Sequence, residues 1–139
     1  REDKYGECLS PETLVDQVIR MREEYGFKSV KFKAGVLHPE EEIETIKQLY
    51  RELGPEIPLR IDPNSAWTVD TSVRVGQELS EELGRGGYLE DPTATISGMA
   101  EVRKRLLAEG IDTPLATNVA VTCFADLPDA IKEDAAQII

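Results

Sequence analysis

Five polar residues recur at a nearly fixed interval along the chain: Lys31 and Lys33 in "KFK", Asp62 in "RIDPN", Glu90 in "YLEDP" and Asn118 in "PLATN". From Lys33 onward the separations are 29, 28 and 28 residues. Asp62, Glu90 and Asn118 offer three oxygen donors and two negative charges. Such a set suits a hard cation like Mg²⁺, which takes oxygen ligands at ~2.1 Å and keeps water or substrate oxygens in its remaining octahedral positions. His38 is the only histidine, and Cys8 and Cys123 match no zinc spacing, so zinc is not expected. Two lysines beside a cation repel it and each other. Like charge and desolvation both lower a lysine's pKa, and neutral lysine is a competent general base. A lysine base with a cation holding a carboxylate is machinery for removing the proton α to that carboxylate, the cation stabilising the enediolate.

These residues need elements to bring them together. In "SVKFKAG", Val30, Phe32 and Ala34 alternate with Lys31 and Lys33, the period-two pattern of a strand with both ammonium groups on one face. Before it, residues 10–26 predict a helix, with Ser10 as N-cap, Pro11 in the first turn, Gly26 as the stop and Leu14, Val18 and Tyr25 near helical spacing. After it, "HPEEEIETIKQLYRELG" predicts a second helix. Glu40, Glu41 and Glu42 crowd its solvated first turn, and Ile43, Ile46, Leu49, Tyr50 and Leu53 form its inner stripe. "IPLRIDPN" reads as a strand, residues 68–84 as a helix and "GGYLEDP" as a strand. "SGMAEVRKRLLAEG" reads as a helix capped by Ser97, and "TPLATN" as a strand. "FADLPDAIKED" reads as a short helix interrupted near Pro128, and "AAQII" as the start of a fifth strand.

The class is therefore α/β with parallel, right-handed crossovers. Repeating βα units of about 28 residues favour a (β/α)-barrel over a doubly wound sheet, and no Gly-x-Gly-x-x-Gly follows the first strand. About five strands cannot close an eight-stranded barrel. Residues 1–139 are thus expected to be one partial barrel domain with open strand edges, and a start without methionine suggests a piece of something longer.

Composition narrows the partners. At 40% hydrophobic and 31% charged residues, the chain can bury a core. A net charge of −11 argues against nucleic acid and against an anionic membrane surface. Neither an apolar run of membrane-span length nor a charged-then-apolar leader is present, and both cysteines are expected as reduced thiols, which together point to the cytoplasm. Trp67 reads as loop packing, and His38 as a solvated or capping residue.

"KFK", "RIDPNSAW", "YLEDP" and "PLATN" together resemble the barrel motifs of the enolase superfamily, and more narrowly its glucarate dehydratase group, whose third metal ligand is Asn. The resemblance runs from about Ser10 to the end of the chain. That superfamily pairs a Lys or His base with Mg²⁺, a mechanism that arrives with the resemblance. It implies Lys33 as the base, with Lys31 beside the substrate carboxylate and lowering the pKa of Lys33. Asp62, Glu90 and Asn118 become Mg²⁺ ligands, and Asn64 and Asn118 contact the substrate. The implied reaction eliminates water from an acid sugar to give a 2-keto acid. The family's capping domain, first barrel strand and the His–Asp dyad of later strands have no counterpart among these residues. A racemase or cycloisomerase would share the base and cation but not the elimination. A non-catalytic truncated relative acting as an assembly unit is the alternative outside enzymes. Either way, open edges point to a homo-oligomer.

Overall fold

A computed structural model describes Lys4, residues 6–8 and residues 10–139. The chain alternates helix and strand: α1 (Pro11–Tyr25), β1 (Val30–Lys33), α2 (Pro39–Leu53), β2 (Leu59–Asp62), α3 (Val69–Glu78), β3 (Tyr88–Glu90), α4 (Ile96–Ala108), β4 (Leu115–Ala116) and α5 (Leu127–Lys132). The strands form one parallel sheet in chain order, β1-β2-β3-β4. Among the described residues no helix is long and apolar enough to cross a membrane.

Local chemistry sets the helix limits. Ser10 Oγ accepts the Thr13 N–H while Thr13 Oγ1 accepts the Ser10 N–H, a reciprocal cap, and Gly26 closes α1 at φ 70°. Thr68 caps α3, its Oγ1 accepting the Thr71 N–H without the reciprocal bond. For α4 the cap is Thr95, whose Oγ1 accepts the Gly98 N–H at 3.1 Å, so the helix starts ahead of the expected Ser97. Pro128 lies in the first turn of α5, where its missing N–H costs nothing; it starts that helix instead of interrupting it. Regular helix in α3 stops at Glu78, short of the expected Gly84. Leu79 and Leu83 continue through looser turns, which bury both completely. The expected fifth strand is reduced to one bridge, Ala116 with Ile138. There the Gln137 side chain takes a ladder position, its Oε1 accepting the Leu115 N–H.

Register explains how the two sheet faces differ. Lys31 lies opposite Arg60 and Lys33 opposite Asp62, while Phe32 faces Ile61 and Ile61 faces Leu89. One face is thus apolar and the other charged. Ile61, Leu89 and Leu115 are fully buried, as are Ile46 and Leu49 of α2 and Met99 and Leu106 of α4. Successive helices pack side by side, α1 on α2 through to α4 on α5, in one layer. The closest approach is at Gly76 of α3, where a Cβ would lie 2.9 Å from a Leu106 methyl. In α1 the buried residue is Val15; Leu14 and Val18 are partly covered and Tyr25 is half exposed.

Candidate active site

The strand ends bring the expected residues together. Lys33 Nζ donates to Asp62 Oδ2 at 2.6 Å, and Lys31 Nζ donates to Glu90 Oε2 at 3.0 Å while lying 3.7 Å from Asp62 Oδ2. Side-chain exposure is 5% for Asp62 and 9% for Glu90, against 44% for Lys31 and 58% for Lys33. Two nearly buried carboxylates this close need positive charge beside them; here the ammonium groups supply it. From sequence, like charge and desolvation are expected to push a lysine pKa down, with Lys31 helping to depress that of Lys33. At Lys31 the direction is the reverse: the hydrogen bond to Glu90, helped by the charges of Glu90 and Asp62, outweighs desolvation and holds its pKa above the ordinary lysine value. Lys31 is therefore an ammonium at neutral pH, suited to hold an anion.

The turn after β2 is built on Asp62. Its Oδ1 accepts the Asn64 N–H at 2.9 Å, an Asx-type turn, and Asn64 stands exposed at the rim. Asn64 (φ 50°) and Ser65 (φ 66°) are consecutive left-handed residues that carry a Cβ. Across β3, the Asn118 Nδ2 donates to Glu90 Oε1 at 3.1 Å. A half-turn of that amide would present its oxygen to the same region.

Three further residues organise this rim. Asp91, next to Glu90 in the chain, is 1% exposed with φ 42°, and it carries a carboxylate oxygen within 4.8 Å of those of Asp62 and Glu90. Glu42, expected in water, is fully buried, and its Oε1 accepts the Val36 and Leu37 N–H groups at 3.0 and 3.1 Å. It thereby ties down the loop that follows Lys33. Its spacing was the available signal, because Glu42 lies four residues before buried Ile46 on the same helix face. Gly35, at φ 79°, packs this loop on the next: a Cβ there would sit 2.6 Å from the Pro63 carbonyl. Trp67 is buried in the core beneath the turn, as loop packing requires.

The acidic oxygens suit a divalent cation: those of Asp62, Glu90 and Asp91 cluster within 4.8 Å, the carboxylates are shielded from water, and the Lys31 and Lys33 ammonium groups provide balancing charge.

A family model described as "Enolase C-terminal domain-like" matches residues 13–139. The chain belongs to that family. Among curated enolase relatives, "Probable glucarate dehydratase" of Streptomyces coelicolor is 44% identical over 138 residues, covering 99% of this chain and 30% of that protein. L-talarate/galactarate dehydratase of Salmonella typhimurium is 30% identical over 132 residues, covering 91% of this chain and 31% of that one. An enolase from Gibberella zeae solved with magnesium, formate and sulfate superposes with a TM-score of 0.89 at 46% identity, covering all of this chain and 31% of that one. The chain thus spans about 30% of the length of these relatives. It is a partial enolase-type (β/α)-barrel domain: four parallel strands with the helices that flank them.

Proposed function

We propose that the chain carries the base and cation-binding part of a Mg²⁺-dependent acid-sugar dehydratase of the glucarate type. The observation that supports it most is the pairing at one rim of Lys33 with Asp62 and of Lys31 with Glu90, a candidate base beside a shielded oxygen donor set. The acid-sugar dehydratases among the relatives favour elimination as the outcome.

Lys33 Nζ, as the neutral amine, takes the proton from the carbon next to the substrate carboxylate: the C–H bond breaks, an N–H bond forms, and the electron pair moves into the carboxylate as an enediolate. Lys31, held as an ammonium, pairs with that growing negative charge. The pair then returns to form the α,β double bond as the β-hydroxyl, taking up the proton that Lys33 acquired, leaves as water, and the resulting enol tautomerises to a 2-keto acid. Asp62, Glu90 and Asn118 would hold Mg²⁺, which when bound neutralises charge on the substrate carboxylate. Asn64 and Asn118 offer amides at the rim to the sugar hydroxyls. A small acid sugar is thus the partner, in a homo-oligomer whose size light scattering would report.

The test is a screen of acid sugars with Mg²⁺ in deuterated water, following keto-acid product and α-proton exchange by NMR. Keto acid together with exchange is the expected result. Exchange without keto acid would replace the dehydratase by a racemase or cycloisomerase. Neither signal, with Mg²⁺ bound, would leave a non-catalytic assembly unit.

A further inference from the structure

Asp91 is adjacent to Glu90, yet its side-chain hydrogen bonds run to the turn after β4 that carries Asn118. Its Oδ1 accepts the Thr117 hydroxyl at 2.6 Å and the Asn118 and Val119 N–H groups at 3.2 Å each; Oδ2 lies 3.4 Å from the same Asn118 nitrogen. Three donors on one oxygen commit its lone pairs to the turn after β4. Thr117 Oγ1 in turn accepts the Ala120 N–H at 2.9 Å, so residues 117–120 wrap around this carboxylate. The main chain of Asp91 reaches both ways: its N–H donates to the Ala116 carbonyl of β4 at 2.8 Å, and its carbonyl accepts the Ser65 N–H in the turn after β2 at 2.7 Å. A left-handed φ of 42° in a residue with 1% exposure persists only where its surroundings enforce it.

We propose that Asp91 is the positioning residue of the rim. Its Oδ1 is committed to the turn after β4, so that although its carboxylate lies within 4.8 Å of those of Asp62 and Glu90 it supports the ligands and is not one of them. It sets the backbone of Asn118, and so the reach of that amide to Glu90 and a shared ion, and through its carbonyl it fixes the Asn64–Ser65 turn. This rests on the cation-binding reading above and deepens it by separating two adjacent carboxylates into a ligand and its support.

The test uses the intact protein, with Mg²⁺ calorimetry as one readout and amide hydrogen exchange as the other. Asp91→Ala is expected to lower Mg²⁺ affinity ~10–100-fold, as removal of a group that orients a ligand does. It should also speed exchange of the Asn118 and Val119 amides about tenfold, the equivalent of one lost hydrogen bond. Asp91→Asn keeps an oxygen acceptor in the Oδ1 position and should restore both to within about threefold of the unsubstituted protein. On an Asn118→Ala background, Asp91→Ala should remove little further affinity, because both act through one ligand. A full additional loss on that background would overturn the proposal. So would an Asp91→Asn variant as damaging as Asp91→Ala, which would make Asp91 itself a ligand. If the unsubstituted protein binds no Mg²⁺, the cation reading fails and amide exchange decides the role of Asp91 alone, unchanged protection of Asn118 and Val119 refuting it. Should Asp91→Ala fail to fold, Thr117→Val removes one donor and is read on the same two amides.

Discussion

The two ends of the sheet meet the same geometric demand with different residues. Where chains enter the strands, left-handed turns fall largely on glycine: Gly54 before β2 and Gly110 before β4 have φ of 80° and 78°, with nothing within 4 Å of an added Cβ. Where chains leave the strands, Gly35 takes that conformation after β1, but after β2 and β3 it falls on Asn64, Ser65 and Asp91 despite their side chains. Glycine serves at the first end because only the backbone path matters there. At the second end side chains are needed at those positions, and hydrogen bonds from Asp62 and Asp91 offset the strain. Charge follows the same division. At the entry end Arg103 reaches from α4 to Asp112 at 2.6 Å and to the Thr113 carbonyl at 3.5 Å, with Asp134 3.6 Å away. At the exit end two lysines and three carboxylates share one cluster. One end is arranged for stability and the other gathers the residues of the proposed site.

Substitutions can break that division. The largest effect is expected for Lys33→Ala, which should lower α-proton exchange with deuterated solvent by ~10²–10⁴-fold, the usual contribution of a general base; exchange at the unsubstituted rate would remove Lys33 from that role. Glu90→Gln should weaken Mg²⁺ binding by about 100-fold or more in calorimetry, since it removes the charge of a proposed ligand. At the entry end the sign of the comparison should invert. Arg103→Met is expected to cost ~1–3 kcal/mol in urea unfolding, through lost hydrogen bonds of a buried guanidinium, while Mg²⁺ affinity stays unchanged. The smallest effect sharpens the contrast: Gly110→Ala should cost about 1 kcal/mol from its left-handed backbone alone, without altering Mg²⁺ binding. If Gly110→Ala and Arg103→Met moved Mg²⁺ affinity as much as stability, the two ends would not be separable.

Much of this arrangement is legible in the sequence, for a physical reason. Parallel βα repeats with short loops lock strand ends into register, so a 28-residue spacing of polar residues translates directly into proximity. Lys31, Lys33, Asp62, Glu90 and Asn118 are brought together as that spacing implies. What the spacing leaves open is where a side chain turns once the strand has ended. Asp91 follows Glu90 directly and alternation would separate them across the sheet, but the left-handed backbone at Asp91 keeps both at the rim. Glu42 is hidden for another reason: its helix places it on the buried stripe, and only the loop it holds makes a buried carboxylate tolerable. The direction of the Lys31 shift depends on distances to Glu90 and Asp62, which no residue pattern specifies. The fifth strand shrinks to one bridge because Gln137 offers its side chain where a backbone partner would continue the ladder.

The order of the sheet has a further consequence, for how the molecule is built as it is synthesised. Because β1, β2, β3 and β4 lie side by side in the order of translation, each strand finds its partner already waiting about one βα unit behind it. Among the described strands each pairing joins consecutive units, and loop closure at this length adds little entropy from one unit to the next. The sheet can grow from one edge as the chain emerges. Asp62, Glu90 and Asn118 would then join the rim one after another, the last of them set in place only once Thr117–Val119 have closed on Asp91.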